Sequence, residues 1–263
     1  MSTTTLGDIE VAHTEAGSGD PVVFIHGLAE DRASWQVQQR DLVDLRTYSY
    51  DLRGHGQTTL GDAEGTLAQL GSDLIRFLEQ VSGPATVVGF SLGGTIALWA
   101  AAERPDLVPH VVVLGTSSVV GRAAAEFYGQ RISQAADTTS SEFRDGMRQD
   151  TEAALTTARD RLDEIVSARL GAVGSGGGYR NAARAMAGLR DAPLTPRLAE
   201  VKVPVDVVGA TGDTFCPPKA TRIIVDALGD VVQHEIRDAG HLMNADNPGA
   251  VTDVVRAAIS GRK

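Results

Sequence analysis

The chain has 263 residues, 42 % of them apolar, and a formal net charge of −10 at neutral pH. That length suits one α/β domain carrying an insertion, and an acidic chain without a lysine/arginine cluster argues against nucleic acid or an anionic membrane as partner. No apolar run approaches the length of a membrane helix, the amino terminus has neither the basic nor the apolar stretch of a leader, and Cys216 as the lone cysteine excludes an intrachain disulfide; these features lead us to expect a cytoplasmic protein.

Ile9 to Thr14 reads as an edge strand, followed by a turn at Gly17-Ser18-Gly19-Asp20-Pro21. Val22 to Ile25 is an unbroken apolar run with three β-branched residues, the pattern of a strand buried on both faces, and it ends at His26-Gly27. Ser34 to Leu45 reads as a helix and Arg46 to Tyr50 as the next strand, which runs into a glycine-punctuated loop, Asp51 to Thr58. Thr66 to Val81 carries leucine, isoleucine and valine at spacings of three and four, an amphipathic helix stopped by Ser82-Gly83-Pro84. Ala85 to Val88 is a strand, Thr95 to Arg104 a helix and Val108 to Leu114 another buried strand. Strand and helix alternate, the pattern of a parallel sheet covered on both faces. In such sheets functional groups collect at the carboxyl ends of the strands, where His26, Asp51 and Ser91 fall.

From Thr116 to about Val201 the strand signals stop. Arg122 to Ala136, Ser141 to Asp150 and Thr151 to Leu170 read as helices, and Tyr179 to Leu189 as one more. Between them, five of the eight residues from Gly171 to Gly178 are glycine, which we expect to form a flexible hinge or an exposed loop. The expected division is a core of residues 1–116 and 202–263 with a helical insertion, 117–201, lying over the carboxyl edge as a cap. The sheet resumes with Val205 to Gly209, then a helix from Thr221 to Leu228, a strand from Val231 to Ile236 and a closing helix from Pro248 to Ile259.

One stretch carries chemistry. Gly89-Phe90-Ser91-Leu92-Gly93 stands between a valine-rich strand and an Ala/Leu helix, so it places a serine on a sharp strand-to-helix turn. A serine hydroxyl attacks a carbonyl only with a base beside it and donors for the oxyanion. Of the six histidines, His241 alone follows the last strand in a short loop after glycine, and it is the candidate base. Asp213, in the loop after the penultimate strand, is the candidate acid that orients it; Asp206 is near but lies inside the strand. The chain order Ser91, Asp213, His241 is nucleophile, acid, base.

With these residues placed, the sequence resembles the α/β-hydrolase family with an inserted cap. Five segments match its pattern in order: His26-Gly27, Asp51-Leu52-Arg53-Gly54-His55-Gly56, Gly89-Phe90-Ser91-Leu92-Gly93-Gly94, Gly209-Ala210-Thr211-Gly212-Asp213 with Pro217 following, and Gly240-His241. The resemblance implies an α/β fold with a mostly parallel eight-stranded sheet and helices on both faces. It also implies an oxyanion hole made by the backbone N–H groups of Leu28 and Leu92. His26 is expected to order the oxyanion loop, with Asp51 and Arg53 bracing loops beside the site. Trp35, Phe90 and Met243, with Leu242 beside it, are candidate substrate contacts, each with core packing as the alternative. Cys216 reads as a buried thiol. No metal-ligand spacing and no dinucleotide fingerprint is present, so neither metal nor cofactor is expected.

A serine nucleophile disfavours the dehalogenase and epoxide hydrolase chemistries of this fold, which need a carboxylate there. The expected reaction is hydrolysis of a small ester or lactone through an acyl-serine, in the neighbourhood of the 3-oxoadipate enol-lactonases and carboxylesterases. Carbon–carbon bond hydrolysis of a diketone, perhydrolase (cofactor-free haloperoxidase) activity and a non-catalytic ligand-binding role are the alternatives.

Overall fold

In a computed structural model, residues 1–261 are described. The strands are β1 (Ser2–Leu6), β2 (Ile9–Ala16), β3 (Pro21–Ile25), β4 (Arg46–Tyr50), β5 (Thr86–Phe90), β6 (His110–Leu114), β7 (Val205–Ala210) and β8 (Val231–Ile236). They form one sheet in the order β1-β2-β4-β3-β5-β6-β7-β8. β2 runs antiparallel to β1 and β4, and from β4 across to β8 every pairing is parallel. β1 is a strand that the apolar pattern did not suggest. Its three threonines are β-branched but polar, which suits an edge with one face in water. β6 is buried at every residue and β3 and β5 at every residue but the first, because helices cover both faces.

The helices are α1 (Gln36–Asp41), α2 (Leu67–Phe77), α3 (Leu92–Glu103), α4 (Arg122–Gln134), α5 (Ser141–Ala154), α6 (Leu162–Val173), α7 (Gly177–Gly188), α8 (Pro218–Ala227), α9 (Met243–Asp246) and α10 (Pro248–Ser260). Their starts follow local chemistry. Thr66 caps α2, Ser140 caps α5 and Asn247 caps α10, each accepting the backbone N–H three residues on. No helix among the described residues is long and apolar enough to cross a membrane.

The four helices between β6 and β7 have a small core of their own, including Phe143, Met147, Val173, Tyr179 and Ala183, which reaches the loop after β3 at Ala29. The end of this segment joins the main core: Ala182, Met186 and Leu189 of the α7 region pack there, as do Leu194, Leu198 and Val201. Two expectations are corrected. The break at Asp150 does not exist; α5 runs through to Ala154 and the chain turns at Leu155 to Arg161. The glycine run is not a hinge. Gly171 lies within α6, only Gly174 to Gly176 form a turn, and Gly177 and Gly178 open α7. A Cβ on Gly178 would stand 2.2 Å from the Gly54 carbonyl oxygen, so glycine there lets a helix start against the 51–58 loop.

Candidate active site

β5 delivers Ser91 and α3 starts at the next residue, which forces the turn to be tight. Ser91 has φ 51° and ψ −115°, a left-handed conformation for a residue with a Cβ. Such strain, of order 1–3 kcal/mol, persists only where the surroundings hold it. Here the Ser91 N–H donates to the Leu114 carbonyl of β6, and the Ser91 carbonyl accepts from Gly94 and Thr95. A Cβ on Gly93 would meet the Ile25 carbonyl oxygen at 2.4 Å, so the helix can start this close to β3 only with glycine at that position.

The carboxyl edge brings the other two side chains to the serine. His241 Nε2 lies 3.1 Å from Ser91 Oγ. His241 Nδ1 lies 2.9 Å from Asp213 Oδ2 and 3.1 Å from Oδ1. The Asp213 carboxylate is fully buried, and Oδ1 also accepts the backbone N–H groups of Phe215 and Cys216 at 2.9 and 2.8 Å. Asp206, the rival acid, sits at the amino end of β7, between His110 and His234 at 2.9 and 2.6 Å.

The loop after β3 lies against the serine, with Gly27 so near that a Cβ there would stand 2.8 Å from the Phe90 ring and 3.3 Å from Ser91 Cβ. Among the described residues, the N–H groups of Leu28 and Leu92 have no hydrogen-bond acceptor. His26 fastens this loop to the next one. Its Nδ1 bonds the Gly27 carbonyl at 2.8 Å and its Nε2 accepts from the Leu52 N–H at 2.9 Å. Complete burial lowers its pKa to about 4, so the ring is neutral and can accept that bond. Asp51 accepts from the N–H groups of Arg32 and Gln57 and pairs with the Arg32 guanidinium. Arg53 is buried between Asp73, which it holds by two bonds at 2.8 and 2.7 Å, and Asp8 at 2.6 Å. These residues stand behind the site and do not line it.

Two cavities meet at Ser91 and His241. The larger, of 570 Å³, opens between α4 and α8 and is mainly apolar, with Val120, Phe127, Met186 and Ile223 in its wall. The smaller, of 50 Å³, includes Leu28, Phe90, Arg169 and Tyr179. Phe90 reaches this lobe and packs on the His241 ring at 4.9 Å, and Leu242 lines it as well. Trp35 does not reach either cavity. It is fully buried and stacked on Phe24 with centroids 4.8 Å apart. Met243 is likewise packed into that core and lines neither cavity. Both corrections have one cause: a large apolar side chain gains more by joining the core than by lining a wet cleft.

Several residues near the site lie outside the motifs that the sequence offers. Phe215 stacks on His241 at 5.3 Å and meets Phe127 edge-on at 6.2 Å, and Tyr128 and Tyr179 close the roof. The pattern that could have found them is the gathering of scarce aromatics, Phe127, Tyr128, Phe143 and Tyr179, in a segment otherwise rich in alanine and charge. Asp246 was also missed. Its carboxylate accepts N–H groups from Gly240, beside His241, and from Thr156, Thr157 and Ala158 at the α5–α6 junction. Burial works to raise its pKa, and those backbone bonds outweigh burial and lower it. Asp246 thereby ties the histidine loop to the helical segment.

Asp213, Cys216 and His241 place one ligand atom each within 4.8 Å of one another, the one such group among the described residues. It is a poor metal site. Asp213 and His241 already engage each other, and burial pushes the Cys216 thiol up to about 12, which keeps it protonated.

The fold is that of an α/β hydrolase. A family model for the alpha/beta hydrolase fold matches residues 20–248, and the chain belongs to that family. Along its length it is 27 % identical to 3-oxoadipate enol-lactonase 2 of Acinetobacter baylyi, covering 98 % of this chain and 96 % of that one. It is 31 % identical to a candidate non-heme bromoperoxidase of Mycobacterium tuberculosis, over 92 % and 95 % of the two chains. The enol-lactonase of Burkholderia xenovorans superposes with a TM-score of 0.88 at 22 % identity, over 98 % of this chain and all of that one, a likeness of fold.

Proposed function

We propose that the protein is a serine hydrolase that cleaves a small-molecule carboxylic ester or lactone through an acyl-serine. The observation that carries this reading is the chain of contacts from Ser91 Oγ through the His241 ring to the buried Asp213 carboxylate. In this mechanism His241 Nε2 takes the Ser91 proton as Oγ attacks the carbonyl, gives it to the leaving oxygen, and then activates water to cleave the acyl-serine. Asp213 holds the Nδ1–H tautomer and stabilises the imidazolium. The Leu28 and Leu92 N–H groups receive the oxyanion, and loss of one such donor costs roughly 3–4 kcal/mol of transition-state stabilisation. Their lack of another acceptor supports that role. Residues 117–201 act as a cap, with Phe127 and Tyr128 in the cavity walls beside Ser91. The lactone branch is supported by the likeness to an enol-lactonase along nearly the whole chain. The lone cysteine fits a cytoplasmic enzyme.

The test is labelling with a fluorophosphonate and turnover of p-nitrophenyl acetate and butyrate. Wild type should label and turn over, and Ser91→Ala should do neither. An unlabelled, inactive wild-type protein sinks the reading. A second reading, perhydrolysis, is favoured by the likeness to the candidate bromoperoxidase. Hydrogen peroxide would replace water in attacking the acyl-serine and release a peracid, so peracetic acid formed from acetate and peroxide measures it.

A further inference from the structure

The two lobes at Ser91 differ in chemistry. The large one is walled by aliphatic and aromatic side chains. The small one contains a cation, Arg169, which reaches it from α6. The Arg169 side chain makes no hydrogen bond or ion pair among the described residues, and its Nε is buried without a partner. An arginine in this position is unusual, because a buried donor left unmade is costly.

The acidic groups around it do not satisfy it. Asp150 also lines the lobe, but both its oxygens are taken by Arg131, at 2.7 and 2.8 Å. Asp31 and Glu164 border a neighbouring cavity with Arg169 without an ion pair to it, and Glu30, in the same cavity, lies within its field. It bonds the Gly27 N–H at 3.0 Å and forms no ion pair with Arg169, and burial pushes its pKa up against the pull of Arg169. Tyr179 stands in the same wall, and burial raises its phenol pKa, so it remains a neutral donor. The lobe therefore offers a forked cation and a phenol, with no free anion of its own. Its 50 Å³ holds about three waters' worth of probe space, the size of one carboxylate.

We infer that Arg169 is a specificity residue for a carboxylate on the substrate. The preferred ester or lactone is an anion whose carboxylate sits in the small lobe while its scissile carbonyl lies at Ser91 and its apolar portion fills the large lobe. This rests on the hydrolase reading and adds to it the charge of the substrate. A planar guanidinium with open donors is suited to bind a carboxylate by two parallel hydrogen bonds. The arrangement also gives the net-negative protein a local positive site for an anionic substrate.

The experiment compares two esters of equal acyl length, monoethyl glutarate and ethyl pentanoate, followed by acid release. Wild type should favour the glutarate ester in kcat/KM. In Arg169→Gln that preference should fall by about 10- to 100-fold, the range expected for losing a charge-assisted hydrogen-bond pair, with the change mainly in KM for the anionic ester. Arg169→Lys should recover part of it. Calorimetric titration with glutarate gives a readout that needs no turnover: wild type binds, and Arg169→Gln binds at least about tenfold more weakly. Equal effects of Arg169→Gln on both esters, or glutarate binding unchanged by it, overturn the assignment. Absence of turnover for both esters with Arg169-dependent glutarate binding would count against the hydrolase reading and leave the carboxylate site standing.

Discussion

Asp213→Asn changes one atom, and the structure says where that atom must go. Oδ1 accepts two backbone N–H groups, from Phe215 and Cys216. An amide nitrogen cannot accept them, so the asparagine oxygen must take the Oδ1 position and its NH2 must take that of Oδ2. That NH2 then donates to His241 Nδ1, 2.9 Å away. The histidine proton is driven to Nε2, which now points a donor at Ser91 Oγ across 3.1 Å and can no longer accept the serine proton. Base catalysis is lost while the geometry is kept. The expected drop in kcat is about 10⁴-fold, equivalent to about 5.5 kcal/mol on the barrier. Fold stability should move little, because the substitution is isosteric and every backbone bond is retained. The assay is turnover of p-nitrophenyl butyrate, with thermal unfolding as the control for folding. A well-folded Asp213→Asn protein within tenfold of wild type would refute Asp213 as the acid of the triad.

Two further outcomes concern the loops behind the site. Arg53→Met removes the two-bond partner of Asp73, whose carboxyl burial already pushes up, leaves it only the longer Arg76 contact at 3.4 Å, and should cost about 3–5 kcal/mol in urea unfolding; adding Asp73→Asn should recover part of the loss, and a purely additive double variant contradicts the pairing. His26 and His55 are held neutral in the fold, at about 4 and about 3, chiefly by burial and for His55 also by His26. The unfolded chain takes up these protons from about pH 6.5 downward and the folded chain does not until near 4 for His26 and near 3 for His55, so their share of stability is complete above 6.5 and falls with pH toward those values. Each contributes a slope approaching about 1.4 kcal/mol per pH unit in that window. Urea unfolding between pH 7 and 5 should therefore show a shallower slope for His55→Gln than for wild type, and an unchanged slope would exclude His55 as one of the groups.

What could be read in advance follows from the kind of information each feature needs. The parallel sheet is legible because strands buried on both faces must be continuous apolar runs, as Val22 to Ile25 and Val111 to Leu114 are. Ser91, Asp213 and His241 are legible because a strand end followed by glycine or a tight turn marks where a side chain can stand free at the carboxyl edge. Chain order alone nominates them, and the structure brings the three within hydrogen-bonding distance. The N-terminal strand is not legible, since Ser2 to Leu6 pairs only at an edge and needs no apolar pattern.

The fate of Trp35 and Met243 depended on the apolar neighbours each one meets, a property of the packed molecule and not of a local stretch. The glycine run from 171 to 178 reads as loop by composition. Only the approach of Gly54 and Gly178 shows that glycine serves there to bring a helix start against a loop. The same holds for the cavity. Phe127, Tyr128, Arg169 and Tyr179 lie on three helices, and Phe215 on a distant loop. No spacing joins them, because what unites them is a shared wall above Ser91. Sequence determined the sheet and the residues at its carboxyl edge, through periodicity and chain order. Tertiary packing alone decided which side chains surround the serine, because helices between β6 and β7 are free in sequence to face many ways and are held to one by the core beneath them.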